Sequence, residues 1–118
     1  MMLVDVKKLK EIINPIENPP WKEINSKISY EEILNSKEIE ISKEYDALNP
    51  ITREQHIAKI AHFVKNGWND EPITIVFNKD LYPIYDGNHR FCAAILRNDD
   101  YVFANVEGSR EMIKKISY

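Results

Sequence analysis

A chain of 118 residues with 43% hydrophobic and 30% charged positions is long enough to bury a core of its own. A net charge of -3 argues against a surface that is wholly a nucleic-acid footprint, and a single cysteine excludes an internal disulfide framework. No apolar run approaches the ~18 residues needed to span a membrane, and Met1-Met2-Leu3-Val4-Asp5-Val6-Lys7-Lys8 lacks the order of a signal peptide, so a cytoplasmic domain is expected.

In chain order, Leu3, Val4 and Val6 make a short β-prone start. Lys7 to Ile13 carries Leu9, Ile12 and Ile13, enough for a turn or two of helix, which Asn14-Pro15 ends. Asn18-Pro19-Pro20-Trp21 is a turn-rich connector, expected to drape over the core with Trp21 as its anchor. Ser29-Tyr30-Glu31-Glu32 is a capping box opening a short helix, Tyr30 to Asn35, with Ile33 and Leu34 facing inward. Ile39 and Ile41 alternate with Glu38 and Glu40 as a weak strand signal. Ser42 to Asn49 reads as a loop with Tyr45 and Leu48 as plugs.

Thr52-Arg53-Glu54-Gln55 is a second capping box. Its helix puts Ile57, Ile60, Ala61 and Val64 on one stripe, and Gly67 follows as the C′ glycine. His56 and His62 on this helix do not share a face, so they are expected at the surface or its boundary and not as a zinc pair. Ile73 to Phe77 is a strand, Asn78-Lys79-Asp80 a turn, and Leu81 to Tyr85 a second strand. After a break at Asp86-Gly87, a helix runs from His89 to Leu96 and ends at Asn98-Asp99-Asp100. Tyr101 to Val106 is a further β-rich run, and Ser109 opens a last amphipathic helix carrying Met112, Ile113 and Ile116. Helices and short strands without strict βαβ alternation predict an α+β fold over residues 1–118 as one domain.

The chemistry concentrates at Asp86-Gly87-Asn88-His89-Arg90. A helix starting there leaves its first backbone N–H groups without intrahelical partners, and its dipole favours an anion. Gly87 permits positive φ and a close ligand, and Arg90 offers a fork suited to phosphate or carboxylate. An anion site is therefore predicted at the mouth of one βα unit, for nucleotide phosphates bound by Gly87, Asn88, His89 and Arg90. His89 is assigned to phosphate contact, since nothing near it in sequence orients it as a base. Asp86 and Glu71 are the candidate catalytic carboxylates; Glu71 precedes the strand that leads to the motif and could hold Mg²⁺ or act as a base. Glu44, Asp46 and Glu54 are further acids that could fold over the site. The plainer alternative is that Asp86 and Asn88 are ordinary caps, worth about 0.5–2 kcal/mol. Cys92 reads as a small buried hydrophobe.

Asp86-Gly87-Asn88-His89-Arg90-Phe91, followed by Ala93-Ala94, resembles the phosphate-binding signature of the ParB/sulfiredoxin superfamily. Sulfiredoxins carry Gly-Cys-His-Arg there, free-serine kinases Asp-Gly-His-His-Arg, and ParB partition proteins Gly-Glu-Arg-Arg. Gly67-Trp68 and Glu71-Pro72-Ile73-Thr74-Ile75-Val76 resemble the helix-end glycine and "Pro-Ile" strand upstream of that signature, so the resemblance covers roughly Pro50 to Val106. It implies a small mixed sheet with helices around it, ATP or CTP with Mg²⁺ as ligand, and phosphoryl transfer or triphosphate hydrolysis as the reaction. It also suggests Arg53, by loose analogy with an upstream ParB arginine, as a phosphate contact. Sulfiredoxin chemistry is not expected, because Asn88 stands where that family has its cysteine. The alternative is a non-catalytic regulatory module acting through a homodimer, a protein or a DNA partner. Without a helix-turn-helix segment, sequence-specific DNA binding is not supported. A ParB-like nuclease ranks last, since neither paired metal carboxylates nor a basic stripe is visible.

Overall fold

Among the described residues, four β-prone runs pair into one sheet, and five helices pack around it. The computed structural model describes residues 1–36, 50 and 52–118. The elements are β1 (Met2–Asp5), α1 (Val6–Ile12), α2 (Tyr30–Leu34), α3 (Arg53–Asn66), β2 (Ile73–Val76), β3 (Ile84–Asp86), α4 (Asn88–Leu96), β4 (Tyr101–Glu107) and α5 (Arg110–Ile116). The expectations for Ile39, Ile41 and Ser42 to Asn49, with Glu44 and Asp46, lie outside the described residues.

The sheet order is β1-β4-β2-β3. β4 runs antiparallel to β1 and parallel to β2, and β3 runs antiparallel to β2. A parallel pair needs a crossover between its strands; here the connection from β2 to β4 contains β3 and α4. The result is the α+β domain with a mixed sheet that the sequence predicted.

Ile73 and Ile75 of β2 are fully buried, as central-strand residues should be. They share one core with Val4, Leu9, Phe91, Ala94, Val102, Ala104 and Ile116. A second core lies between α3 and the N-terminal segment: Ile24, Ile28, Ile33, Ile57, Ile60 and Cys92. α4 therefore divides the two cores. Phe91 and Ala94 face the sheet and Cys92 faces α3, which is why residues 90–94 are all buried. Burial pushes the Cys92 thiol up, leaving it a packed hydrophobe and a poor nucleophile.

Side-chain caps start four of the five described helices. Asp5, Ser29, Thr52 and Ser109 each accept a hydrogen bond from the backbone N–H three residues on. At Ser29 the Glu32 side chain completes the box. α4 is the exception: Gly87 is its N-cap, and no side chain caps it.

Two expectations need correction here. Leu34 is 60% exposed, not inward; in a helix of five residues only Ile33 reaches the core. β3 begins at Ile84, not Leu81, and runs on to Asp86. Pro83 lacks the N–H a ladder needs, and only its carbonyl is used, accepting from Val76 N at 2.9 Å. Among the described residues no helix is long and apolar enough to cross a membrane.

Candidate functional site

Gly87 sits in the left-handed region at φ 96°, which turns the chain sharply from β3 into α4. Its missing side chain is also a packing requirement: a Cβ there would lie 2.5 Å from Ile73 Cγ2. The next residue looks backward. Asn88 Nδ2 donates to Ile84 O at 2.9 Å, latching the start of β3, while its buried Oδ1 has no partner among the described residues. Neither Asp86 nor Asn88 caps α4, so the plain capping role weighed from sequence does not describe them. The amides of the first turn find no side-chain acceptor among the described residues.

Arg90 is 8% exposed. Its Nη1 donates to Glu71 O at 3.0 Å and Pro72 O at 3.4 Å, tying α4 to the entry of β2. Its guanidinium lies 3.4 Å from Asp86 Oδ2 and 3.7 Å from Glu71 Oε2. Both carboxylates are well exposed, so these pairs are weaker than buried ones. The three sequence-predicted residues Glu71, Asp86 and Arg90 thus converge, with Arg90 between the two acids.

His89 faces α3. Its Nε2 is 2.9 Å from His56 Nδ1, and His56 Nε2 is 3.2 Å from Glu23 Oε2. Trp21 stacks on both imidazoles, with centroids at 4.6 Å from His56 and 4.2 Å from His89. Trp21 is the anchor expected of the Asn18–Trp21 connector, set against the two histidines. His56 is 2% exposed, which corrects its expected surface position. It shares the buried face of α3 with Ile60, one turn on, and that face meets α4.

Burial first, then the charges of Lys59, His56 and Arg90, push the His89 imidazole down to about 2. Burial also holds His56 below the usual imidazole range, opposed by Glu23. A hydrogen bond from its own backbone N–H, then one from His56, holds Glu23 below the usual carboxylate range. These shifts set a pH dependence of stability. The unfolded chain's histidines take up protons near pH 6.5, whereas folded His89 stays neutral far below that. Over this window the unfolded state binds more protons, so acidification favours unfolding. Lowering the pH from about 6.5 to about 5 is expected to cost about 2 kcal/mol through His89, with His56 adding in the same direction. Glu23 and Glu32, held low, add loss only nearer pH 4 and below. Urea melts at each pH check this, and His89→Gln is expected to flatten the dependence.

Two clefts of about 390 and 370 Å³ flank the Gly87 turn. Both are lined by Lys59, Asp86, Gly87 and His89. The first adds Trp21, Lys22, Glu23, His56 and Asn88; the second adds Phe63, Glu71 and Arg90. Of the phosphate-site residues predicted from sequence, Gly87, Asn88, His89 and Arg90 all line one or both clefts. Arg53 is engaged elsewhere. Its guanidinium pairs with Glu32 at 2.8 Å and donates to the Ser26 and Lys27 carbonyls, bracing α2 against α3. It is not among the described residues lining either cleft.

Sequence reasoning missed Glu23, His56 and Lys59 as site residues. A signal for two of them existed: His56, Lys59 and Phe63 recur at helical spacing on α3 beside the apolar stripe. Glu23 had none, since it lies 33 residues from His56 in an irregular segment. Among the described residues no group of three or more His, Cys, Asp or Glu side chains could hold a metal ion. Compared with known proteins, the chain matches no family model, no curated protein and no solved structure.

Proposed function

We propose that the turn from Asp86 to Arg90 seats the phosphates of a nucleoside triphosphate, ATP or CTP, as its Mg²⁺ complex. The observation that carries this is the uncapped start of α4: it is the one described helix whose first amides lack a side-chain acceptor, and its first-turn residues line both clefts. The resemblance of residues 86–91 to the ParB/sulfiredoxin phosphate signature supports the same reading.

The charges at the clefts add a condition. Among the described residues lining the clefts, Lys22, Lys59 and Arg90 face an equal number of carboxylates, Glu23, Glu71 and Asp86. A bare triphosphate gains little from so balanced a lining, so a divalent cation is part of the ligand. Glu71 and Asp86 are exposed carboxylates on either side of Arg90 and suit Mg²⁺, which takes one or two protein carboxylates and completes its shell with phosphate and water. When bound, the cation neutralises phosphate charge. The amides of α4 and the Arg90 guanidinium orient the phosphates, and positioning with charge stabilisation is most of what phosphoryl transfer needs. The reaction is phosphoryl transfer or triphosphate hydrolysis, with the cytoplasm as its setting.

Thermal denaturation with ATP or CTP, with and without Mg²⁺, tests the reading. At a hundred times Kd the ligand is expected to stabilise by about 2.7 kcal/mol, and only when Mg²⁺ is present. Absence of any shift with either nucleotide would overturn the proposal. Release of phosphate over time separates an enzyme from a module that binds without turnover.

A further inference from the structure

We propose that Glu23, His56 and His89 form a proton relay that takes the proton of a hydroxyl nucleophile bound beside the Gly87 turn, an inference that rests on the phosphoryl-transfer reading above. The three groups stand in line, with separations of 3.2 and 2.9 Å. The two imidazole planes are nearly parallel, 9° apart, and Trp21 stacks on both.

Proton placement follows from the Glu23 end. An ionised carboxylate only accepts hydrogen bonds, so His56 Nε2 carries the hydrogen it shares with Glu23. A neutral imidazole has one N–H, so His56 Nδ1 is bare and accepts from His89 Nε2–H. His89 Nδ1 is then left bare, on a residue that lines both clefts, and it has no partner among the described residues.

On its own His89 is a poor base. It is mostly enclosed, and Lys59 and Arg90 oppose a positive ring. The relay avoids that charge. As the nucleophile's proton reaches His89 Nδ1, the proton on His89 Nε2 passes to His56 Nδ1, and the proton on His56 Nε2 passes to Glu23 Oε2. Both rings end neutral, and the charge change falls on Glu23, the most exposed of the three groups. In the same step the nucleophile's oxygen bonds to the γ-phosphorus. The bond from that phosphorus to the bridging oxygen breaks, and its electron pair leaves with the nucleoside diphosphate. The reverse shift resets the chain when His89 Nδ1 gives the proton to the departing diphosphate. His89 is the catalytic residue here; His56 and Glu23 act through it. The substrate class is a hydroxyl compound small enough for a cleft of about 390 Å³, or water.

Glu23→Gln tests the relay, because the amide oxygen still accepts from His56 Nε2–H but cannot hold the relayed proton. With water as the probe acceptor and whichever magnesium nucleotide stabilises the wild type, turnover is expected to fall roughly 10²- to 10⁴-fold while KM moves less than about threefold. The proton inventory in mixed H₂O and D₂O should be curved for the wild type and straight for the variant. ¹⁵N NMR of the resting protein reads the tautomers without any turnover: both Nε2 atoms protonated and His89 Nδ1 bare. A His89 protonated at Nδ1, a Glu23→Gln variant with unchanged turnover, or nucleotide binding without turnover would each overturn the relay alone. Absence of nucleotide stabilisation in the wild type would overturn the nucleotide reading and the relay with it.

Discussion

Arg90→Ala is expected to destabilise the fold by about 3 kcal/mol and to abolish stabilisation by magnesium nucleotide. The two effects have separate origins. The fold effect comes from Glu71 O and Pro72 O, which lose a charged donor at the entry to β2; hydrogen bonds to charged groups contribute about 1.5–3 kcal/mol each, and the longer of these two the less. The ion pairs with Glu71 and Asp86 add little, because both acids are exposed. The ligand effect is the loss of the guanidinium that neutralises the phosphates, which removes the roughly 2.7 kcal/mol expected at a hundred times Kd. The difference in melting temperature with and without nucleotide, measured on each protein, separates the two. Arg90→Lys is expected to fall between, keeping the charge and losing the fork. A full nucleotide shift in Arg90→Ala would show that Arg90 is a structural clamp only.

Gly87→Ala is expected to cost about 2–5 kcal/mol, a large part of the roughly 5–15 kcal/mol that holds a domain together. The backbone at φ 96° is left-handed, which costs a residue with a Cβ about 1–2 kcal/mol. The new Cβ also meets Ile73 Cγ2 at 2.5 Å and Ile73 Cβ at 2.8 Å. Ile73 is fully buried in the central strand and has no room to withdraw, so overpacking adds about 1–3 kcal/mol. Denaturant melts check this: the midpoint should drop with an unchanged slope. A cost below about 1 kcal/mol would mean that the turn relaxes around the added methyl.

The long, periodic elements were the most legible part of the chain. α3 ends one residue before Gly67, and α5 starts one residue after Ser109, as the local signals predicted. α4 and β4 were each found to within one residue. The turn that carries the candidate site was legible for the same reason: a glycine between a strand and a helix former acts over a few residues. Leu34 and Leu81 were misread because short segments carry too little periodicity to say which face is covered.

What the amino-acid order determined by itself was where the chain turns, where its helices begin and end, and that Gly87 opens one of them. Those outcomes depend on φ preferences, caps and apolar spacing, whose range is about one helical turn. Which groups meet at the site was decided only by tertiary packing. His89 reaches His56 across 33 residues, and Arg90 reaches the Glu71 carbonyl across 19. Arg53, suggested as a phosphate contact only by loose analogy with ParB proteins, pairs with Glu32 instead. Packing α4 between the sheet and α3 buries His56 and aligns it with Glu23, and no local rule contains that information because it depends on which faces of distant helices exclude water together.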